Sequence, residues 1–419
     1  MTHSLLAPLR VIESSAFIAA PLAGLTLAQF GADVIRVEMI GGGIDYGRMP
    51  RAPLPEGSGA RQGRSFYWTG LNKGKRSIAI DLRRPEGREL IQHLVTAPGP
   101  DGGVLLTNIG TPWLAHGLLA ERRGDVITCT IEGNGDGSTA VDYTVHCSTG
   151  YPAVTGGATP QKPVNQVLPA WDIACAYQAA FAISAAVAHR RATGQGREMR
   201  LALSDMAFTM LSHLGVLAEA ELLHQDRPSL GNHIYGAFGR DFGTADGQRV
   251  MVAGISSGQW AALVKATDSA PAMAAIQART GLNLDDEEQR FAARDAIATA
   301  LEPWFAARPM AQVRTQLDAH RVCWGAYRTA SEALAQDPRV SLDNPVFERI
   351  DTPGIGPHIG AGSAVRMPAT ARQATKPAPL LGADTDAILA GVLGLDSHQI
   401  GKLHDSGVVA GPERDPTVG

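Results

Sequence analysis

The stretch LRVIESSAFIAAPLAGLTLAQFGADVIRVE, residues 9–38, decides the fold. LRVIES (9–14) is an apolar run with strand character. APLAGLTLAQF (20–30) has helical spacing, and Gly31 stands where helices commonly end on a glycine. ADVIRVE (32–38) is a second β-branched run. A strand, a short crossover helix and another strand predict parallel pairing and α/β architecture.

The alternation continues outward. SIAIDL (77–82) reads as a strand, and PEGRELIQHLV (85–95) as a helix with proline near its start. GVLLTN (103–108) and VITCTIE (126–132) read as further strands, which gives a Rossmann-like core. A long helix is predicted from Asp172 to about Arg191, stopping at Gly194. REMRLAL (197–203) follows as a strand, and 204–223 as a helix capped by Ser204 or Asp205. Composition shifts at DRPSLGN (226–232). A strand at 249–254, a helix from about Ser257, an acidic-capped amphipathic helix over 285–307 and RVCWGAYR (321–328) outline a second module. TDAILAGVLG (385–394) reads as a last helix.

Bulk properties narrow the function classes. The chain has 419 residues with 44% hydrophobic and 19% charged, enough to bury a substantial core. A net charge of -4 gives no electrostatic reason to expect nucleic acid or an anionic membrane. Cys129, Cys147, Cys175 and Cys323 are far apart and form no CxxC, so neither a zinc site nor a disulfide framework is expected. That pattern fits a reducing cytoplasmic setting. MTHSLLAPLRVIE lacks a signal-peptide pattern. IACAYQAAFAISAAVA (173–188) is short for a span and contains Gln178 and Ser184, so it reads as a buried core helix.

The motifs that a Rossmann-like core invites are missing. The first turn, SSAFIAAPLAG, has no GxGxxG for a dinucleotide. GLNKGKR (70–76) is one residue short of a P-loop, and Arg76 stands where Ser or Thr would hold magnesium. Lys73, Lys75 and Arg76 nevertheless crowd before a strand. They form either a solvated basic turn or a site for a phosphorylated ligand. MIGGGIDYGR (39–48) is either a flexible loop or a close backbone approach to a ligand with Arg48 pairing an anion. Asp172, in LPAWDIACAYQ, is placed to cap a helix. The same helix N-terminus would also suit a catalytic carboxylate, and spacing does not separate the two. His146, His213 and His233 stand alone, and HExxH and GxSxG are absent.

APLAGLTLAQFGADVIRVE, GGGIDYGR, LNKGKRSIAIDL, LLTN, HRRATGQGREMRLALSDMA and APLLGADTDAILAGVLGL together resemble the family III CoA-transferases, in the right order over about 8–411. The resemblance implies an interlocked homodimer. Its large Rossmann-like domain would cover 1–225, completed by 331–419, and its smaller α+β domain 226–330. It implies Asp172 as nucleophile and a CoA contact set of Ala19, Ala20, Arg48, Leu71, Asn72, Lys73, Lys75 and Asn108. CoA would come as part of an acyl-CoA substrate, with no permanent cofactor and no metal. NIGTP (108–112) departs from the family's NFRPG, so an expected arginine contact is missing. The family's racemase branch would carry a histidine near Val141, and none stands there. The glycine quartet of its formyl-CoA branch is absent from GNHIYGAFGRD (231–241).

SAFIAAPLAG, VDYTV, VLPAWDI, GNHIYGAFGRDF and AYRT resemble members that shift CoA between the two carboxyls of mesaconate, a methyl-branched unsaturated C5 diacid. Arg48, His233, Tyr235 and Arg240 are the candidates for holding that diacid. An intermolecular transferase and a non-catalytic CoA binder are the competing readings. The expected oxyanion donors are backbone amides near the start of the Asp172 helix.

Overall fold

The computed structural model describes residues 4–54, 57, 59–156 and 162–418. It divides into two compact units, one formed by Met1–Thr149, Val167–Ala218 and Pro338–Gly419, the other by Gly150–Gln166 and Glu219–Asp337.

The first unit is built on six parallel strands: β1 (Arg10–Ser14), β2 (Asp33–Met39), β3 (Arg76–Ile80), β4 (Val104–Thr107), β5 (Ile127–Glu132) and β6 (Arg197–Ala202). Their order is β3-β2-β1-β4-β5-β6, and Val409–Ala410 adds a short antiparallel edge beside β3. This is the doubly wound order, in which the chain reverses direction between β1 and β4. Ile12 pairs with Ile35 on one side and Leu105 on the other. With Ile78, Ile80, Leu90, Ile91, Leu94 and Ile388 these residues form the core of one sheet face. The other face is covered by α1 (Ala19–Gln29) and the long helix Ala170–Thr193. Ala19, Ala20, Ala23 and Gly24 of α1 and Ala176, Ala179 and Ala180 of the long helix are buried. Small side chains on both helices allow close approach. The long helix is apolar and long enough to cross a membrane by composition, yet it packs on β5, β6 and α1 as a core helix.

Beneath the β1–α1 turn lies a buried ionic cluster. Arg36 meets Glu13 and Glu38 at 2.8 Å each and Asp45 at 3.6 Å, and Lys75 meets Glu13 at 2.9 Å. All five side chains are essentially inaccessible. A Cβ at position 24 would stand 1.7 Å from Glu13 Oε2, so only glycine lets α1 lie over the cluster. Burial pushes Glu38 up to about 7 and Lys75 down to about 8.

The second unit contains a three-stranded antiparallel sheet, Phe238–Gly243, Arg249–Gly254 and Cys323–Ala326, with the middle strand Arg249–Gly254. Phe238, Phe242, Trp260, Leu263, Ile297, Leu301, Phe305 and Leu317 fill its core. Phe242 and Phe305 stack with centroids 4.4 Å apart.

Several expectations change in detail. The helix read over 204–223 is two helices, Leu203–His213 and Val216–Leu223, parted at Gly215 with φ +74°. Neither Ser204 nor Asp205 caps it, because the N-cap is Ala202 and both lie within the first turn. The helix read over 285–307 divides at Ala293 into Glu287–Ala292 and Arg294–Ala306. Asp286 caps the first piece by accepting from the Gln289 amide. The helix at Thr385–Leu393 is followed by another, Ser397–Asp405. The hairpin Phe347–Thr352 with Gly356–Ala361 falls in a Pro- and Gly-rich stretch to which the sequence assigned no strand.

Removing one partner from a buried ionic cluster strands the others. Arg36→Met is expected to cost about 3–5 kcal/mol, read as a lowered urea midpoint. A loss below about 1 kcal/mol would show that Glu13, Glu38 and Asp45 do not depend on the guanidinium.

Candidate active site

Open α/β sheets bind ligands at the carboxyl ends of the strands where the chain changes direction. Here that place lies between the turn after β1 and the residues after β4. Phe17 has φ +62°, a costly conformation for a bulky residue. Three hydrogen bonds hold it. The Phe17 amide donates to Asp45 Oδ2 at 2.9 Å. The Ala16 amide donates to Asn108 Oδ1 at 2.8 Å, and Asn108 Nδ2 donates to the Ala16 carbonyl at 2.7 Å. Asp45 belongs to the glycine loop and is itself anchored by Arg36.

A cavity of about 400 Å³ opens beside this turn, lined by Phe17, Arg48, Tyr67, Asn108, Asp142 and Asp172 together with Ala19, Val141 and Tyr143. The Arg48 guanidinium carbon lies 4.7 Å from the centroid of the Tyr67 ring and 5.6 Å from that of Phe17. Among the described residues Arg48 is the cavity's one cation, and no carboxylate pairs with it. The Tyr67 hydroxyl is buried without a hydrogen-bond partner. Its pKa is pushed up to about 12 by burial, opposed by Arg48 and reinforced by Asp172, so it is protonated at neutral pH.

Asp172 does not cap its helix. The helix spans Ala170–Thr193, its N-cap is Pro169, and Asp172 is the third helical residue. The cap comes from a different element. Asp142 Oδ2 accepts from the Trp171 amide at 2.6 Å and from the Asp172 amide at 3.0 Å. The expected oxyanion donors at this helix start are therefore already engaged. The Asp172 carboxylate accepts no hydrogen bond among the described residues. Burial, reinforced by the nearby Asp142, pushes it up to about 7.

The other sequence-derived candidates divide. Ala19 and Asn108 line the cavity, and Asn108 clamps the first turn. Ala20 is buried behind Ala19, and Leu71 is half-buried at the end of the helix Phe66–Leu71. Asn72 and Lys75 are buried. Asn72 donates to the Trp68 carbonyl and accepts from Lys75 Nζ, which also reaches Glu13 and the Pro21 carbonyl. Their polar atoms serve the scaffold, not a solvated basic turn. Lys73 donates to the Ala361 carbonyl at 2.7 Å and lines a separate cavity of about 260 Å³ with Arg372 and Lys376.

His233, Tyr235 and Arg240 belong to the second unit and have partners there. His233 lies 3.5 Å from Asp295, and Tyr235 donates to Glu219 while stacking under Arg227. Arg240 lies over Phe242. A larger groove of about 1080 Å³, lined by Leu90, Val392, Leu395 and Leu403, carries none of the candidates.

Sequence reasoning missed Asp142, Tyr67 and Tyr143. VDYTV carried only a likeness, although its Asp opens the helix Asp142–Cys147. No described group of three His, Cys, Asp or Glu residues is arranged to hold a metal.

Comparison with known proteins places this architecture. The family model for CoA-transferase family III matches residues 6–385. The chain is 50% identical over 407 residues to the 2-methylfumaryl-CoA isomerase of Chloroflexus aurantiacus, covering 97% of this chain and 98% of that protein. It is 26% identical over 439 residues to a formyl-CoA:oxalate CoA-transferase of Rhodopseudomonas palustris, covering 97% of each. A CAIB/BAIF family protein from Brucella suis superposes with a TM-score of 0.76 over 92% of this chain and 99% of that one, at 23% identity. The chain belongs to CoA-transferase family III.

Proposed function

We propose that this enzyme moves coenzyme A between the two carboxyl groups of one dicarboxylate, converting 2-methylfumaryl-CoA to 3-methylfumaryl-CoA through Asp172. The observation that carries the reading is a half-buried carboxylate that accepts no hydrogen bond among the described residues, facing a cavity that holds one unpaired guanidinium. The identity to a 2-methylfumaryl-CoA isomerase supports the substrate. An intermolecular transfer to a separate acid finds support at the family level.

In this reading an Asp172 oxygen attacks the thioester carbonyl carbon, the C–S bond breaks and CoA thiolate leaves an aspartyl anhydride. The thiolate attacks the aspartyl carbonyl of that anhydride. Its C–O bond breaks, giving an aspartyl-CoA thioester and a free dicarboxylate. The other carboxylate of the diacid then attacks the aspartyl thioester and displaces thiolate to form a second anhydride. Thiolate attack on the substrate carbonyl completes the transfer and frees Asp172. No net proton changes hands. The oxyanions are met by donors lining the cavity, the uncapped start of α1 at Ile18 and Ala19 being one set. Arg48, held on Tyr67 and Phe17, grips whichever carboxylate is free. Ala19, Asn108 and Lys73 contribute to CoA binding. His233, Tyr235 and Arg240 remain proposed diacid contacts. The working form is an interlocked homodimer in the cytoplasm, with acyl-CoA as its ligand and no resident cofactor.

The first test incubates carbon-1 mesaconyl-CoA with pure enzyme and labelled free mesaconate. The carbon-4 thioester is expected without label, whereas labelled product would establish the intermolecular transferase. Arg48→Gln is expected to let the free diacid escape, so that label enters product. Unlabelled product at the wild-type rate would remove Arg48 from the grip.

Asp172 titration gives a second pair of expectations. Rate should rise with pH to a plateau above about 7, because attack needs the anion. A carboxyl whose folded pKa lies above its unfolded value contributes stability below the unfolded pKa and loses it as pH rises through the folded one. Asp172→Asn should therefore abolish turnover yet raise stability at pH 8 relative to wild type by about 2–4 kcal/mol, with little gain near pH 4. Paired thermal melts at the two pH values check it.

A further inference from the structure

We infer that Asp142 is a positioning residue that holds the start of the Asp172 helix and keeps the Asp172 carboxylate bare of amide hydrogen bonds. The inference rests on the reading of Asp172 as nucleophile.

A free helix N-terminus offers four amide donors and a positive dipole end, and it stabilises any carboxylate in its first turn. Such a carboxylate would be a weak nucleophile, its charge already satisfied. In this helix the N-cap, Pro169, has no amide to offer, and the amides that follow it all have acceptors. The Ala170 amide donates to the Leu168 carbonyl and the Ile173 amide to the Pro169 carbonyl. The Trp171 and Asp172 amides both donate to Asp142 Oδ2. Nothing at this end is left for Asp172 itself.

Asp142 is built to do this. It is the first residue of the helix Asp142–Cys147, and one turn on His146 accepts from the Trp171 indole at 3.3 Å. The short helix thus grips Trp171 by its backbone and by its ring. Asp142 Oδ1 is buried and has no partner, so its charge is not spent elsewhere and acts on Asp172. Other groups facing Asp172 are Tyr67, with Arg48 stacked on it, Tyr143 on the Asp142 helix and Cys175 one turn along its own helix. Tyr67 and Cys175 are held neutral by burial. Glu132 also lines the cavity but is paired with Arg200, which leaves Asp142 as the anion beside Asp172 without a cation, and like charge at this range favours the protonated neighbour. A cap alone would be served equally by Asn or Ser. The choice of a carboxylate adds a fixed negative charge beside the nucleophile and makes its anion more reactive.

The test compares full-length wild type with Asp142→Asn on 2-methylfumaryl-CoA, measuring kcat/KM from pH 5.5 to 9 and thermal unfolding. Asn keeps an oxygen that accepts the two amides but drops the charge. The expected result is a fold that still unfolds cooperatively, an ascending limb moved down by about one pH unit and a plateau rate at least about tenfold lower. A limb and plateau coinciding with wild type would overturn the inference. If Asp142→Asn fails to fold, Asp142→Ser, which also keeps an acceptor without the charge, gives the same reading.

Hydroxylamine trapping of the aspartyl-CoA thioester, which displaces CoA thiolate and leaves a hydroxamate adduct on the Asp172 peptide, separates the two levels of the argument. Absence of the adduct in wild type defeats the nucleophile reading. An adduct in wild type with an unmoved limb in Asp142→Asn defeats the role of Asp142 alone.

Discussion

The geometry of the cavity depends on charges buried beneath it. Glu13 on β1, Arg36 and Glu38 on β2, Asp45 in the glycine loop and Lys75 before β3 share one dry volume. Three acids against two bases leave one surplus negative charge if all ionise. The lift of Glu38 to about 7 relieves part of that surplus, because a proton resides there for much of the time near neutrality. Hydrophobic residues would fill the same space with no desolvation cost, but they would not reach across to the loop. Arg36 does, and through Asp45 it fixes the Phe17 amide. The strained turn, the stacked Arg48 and the cavity wall all follow from that chain of contacts.

The same economy of donors governs the other wall. A first-turn aspartate is usually read as stabilised by its helix, and the dipole would hold it ionised. Asp142 reverses the sign of that environment by taking the amides and bringing its own charge. What remains for Asp172 is desolvation with nothing to offset it. That is a destabilising arrangement, and such arrangements concentrate where chemistry is done.

Legibility followed the range of the physics. Residues 9–38 revealed the βαβ unit because strand and helix periodicities are local, and the parallel doubly wound sheet follows from them. Helix starts were less legible. Asp172, Ser204 and Asp205 all looked like caps, yet each lies inside its first turn. The cap of the long helix comes from thirty residues away in sequence, which no spacing rule reaches. The LNKGKR turn misled for the same reason. Lys75 looked solvated or ligand-bound, and only the third dimension brings Glu13 to it. Tyr67 gave no signal at all, because an orphan hydroxyl is a property of packing.

A single cation over a small cavity suits a reaction whose substrate and product differ only in which carboxylate carries the thioester. At every stage of the proposed exchange at least one carboxylate of the diacid is free, and both are free while the aspartyl-CoA thioester stands. A guanidinium stacked on two rings can accept either, since its fork is preorganised while the substrate turns beneath it. Two such cations would hold the diacid too firmly to turn, and none would let it leave. Held in place, the second carboxylate attacks with the advantage of an intramolecular group, an effective concentration of about 10⁵ M or more for good alignment. Water and free acids compete only if they enter. In the proposed exchange the apolar lining of Phe17, Tyr67 and Val141, which meets solvent at Phe17 and Val141, therefore bears on specificity together with the cation.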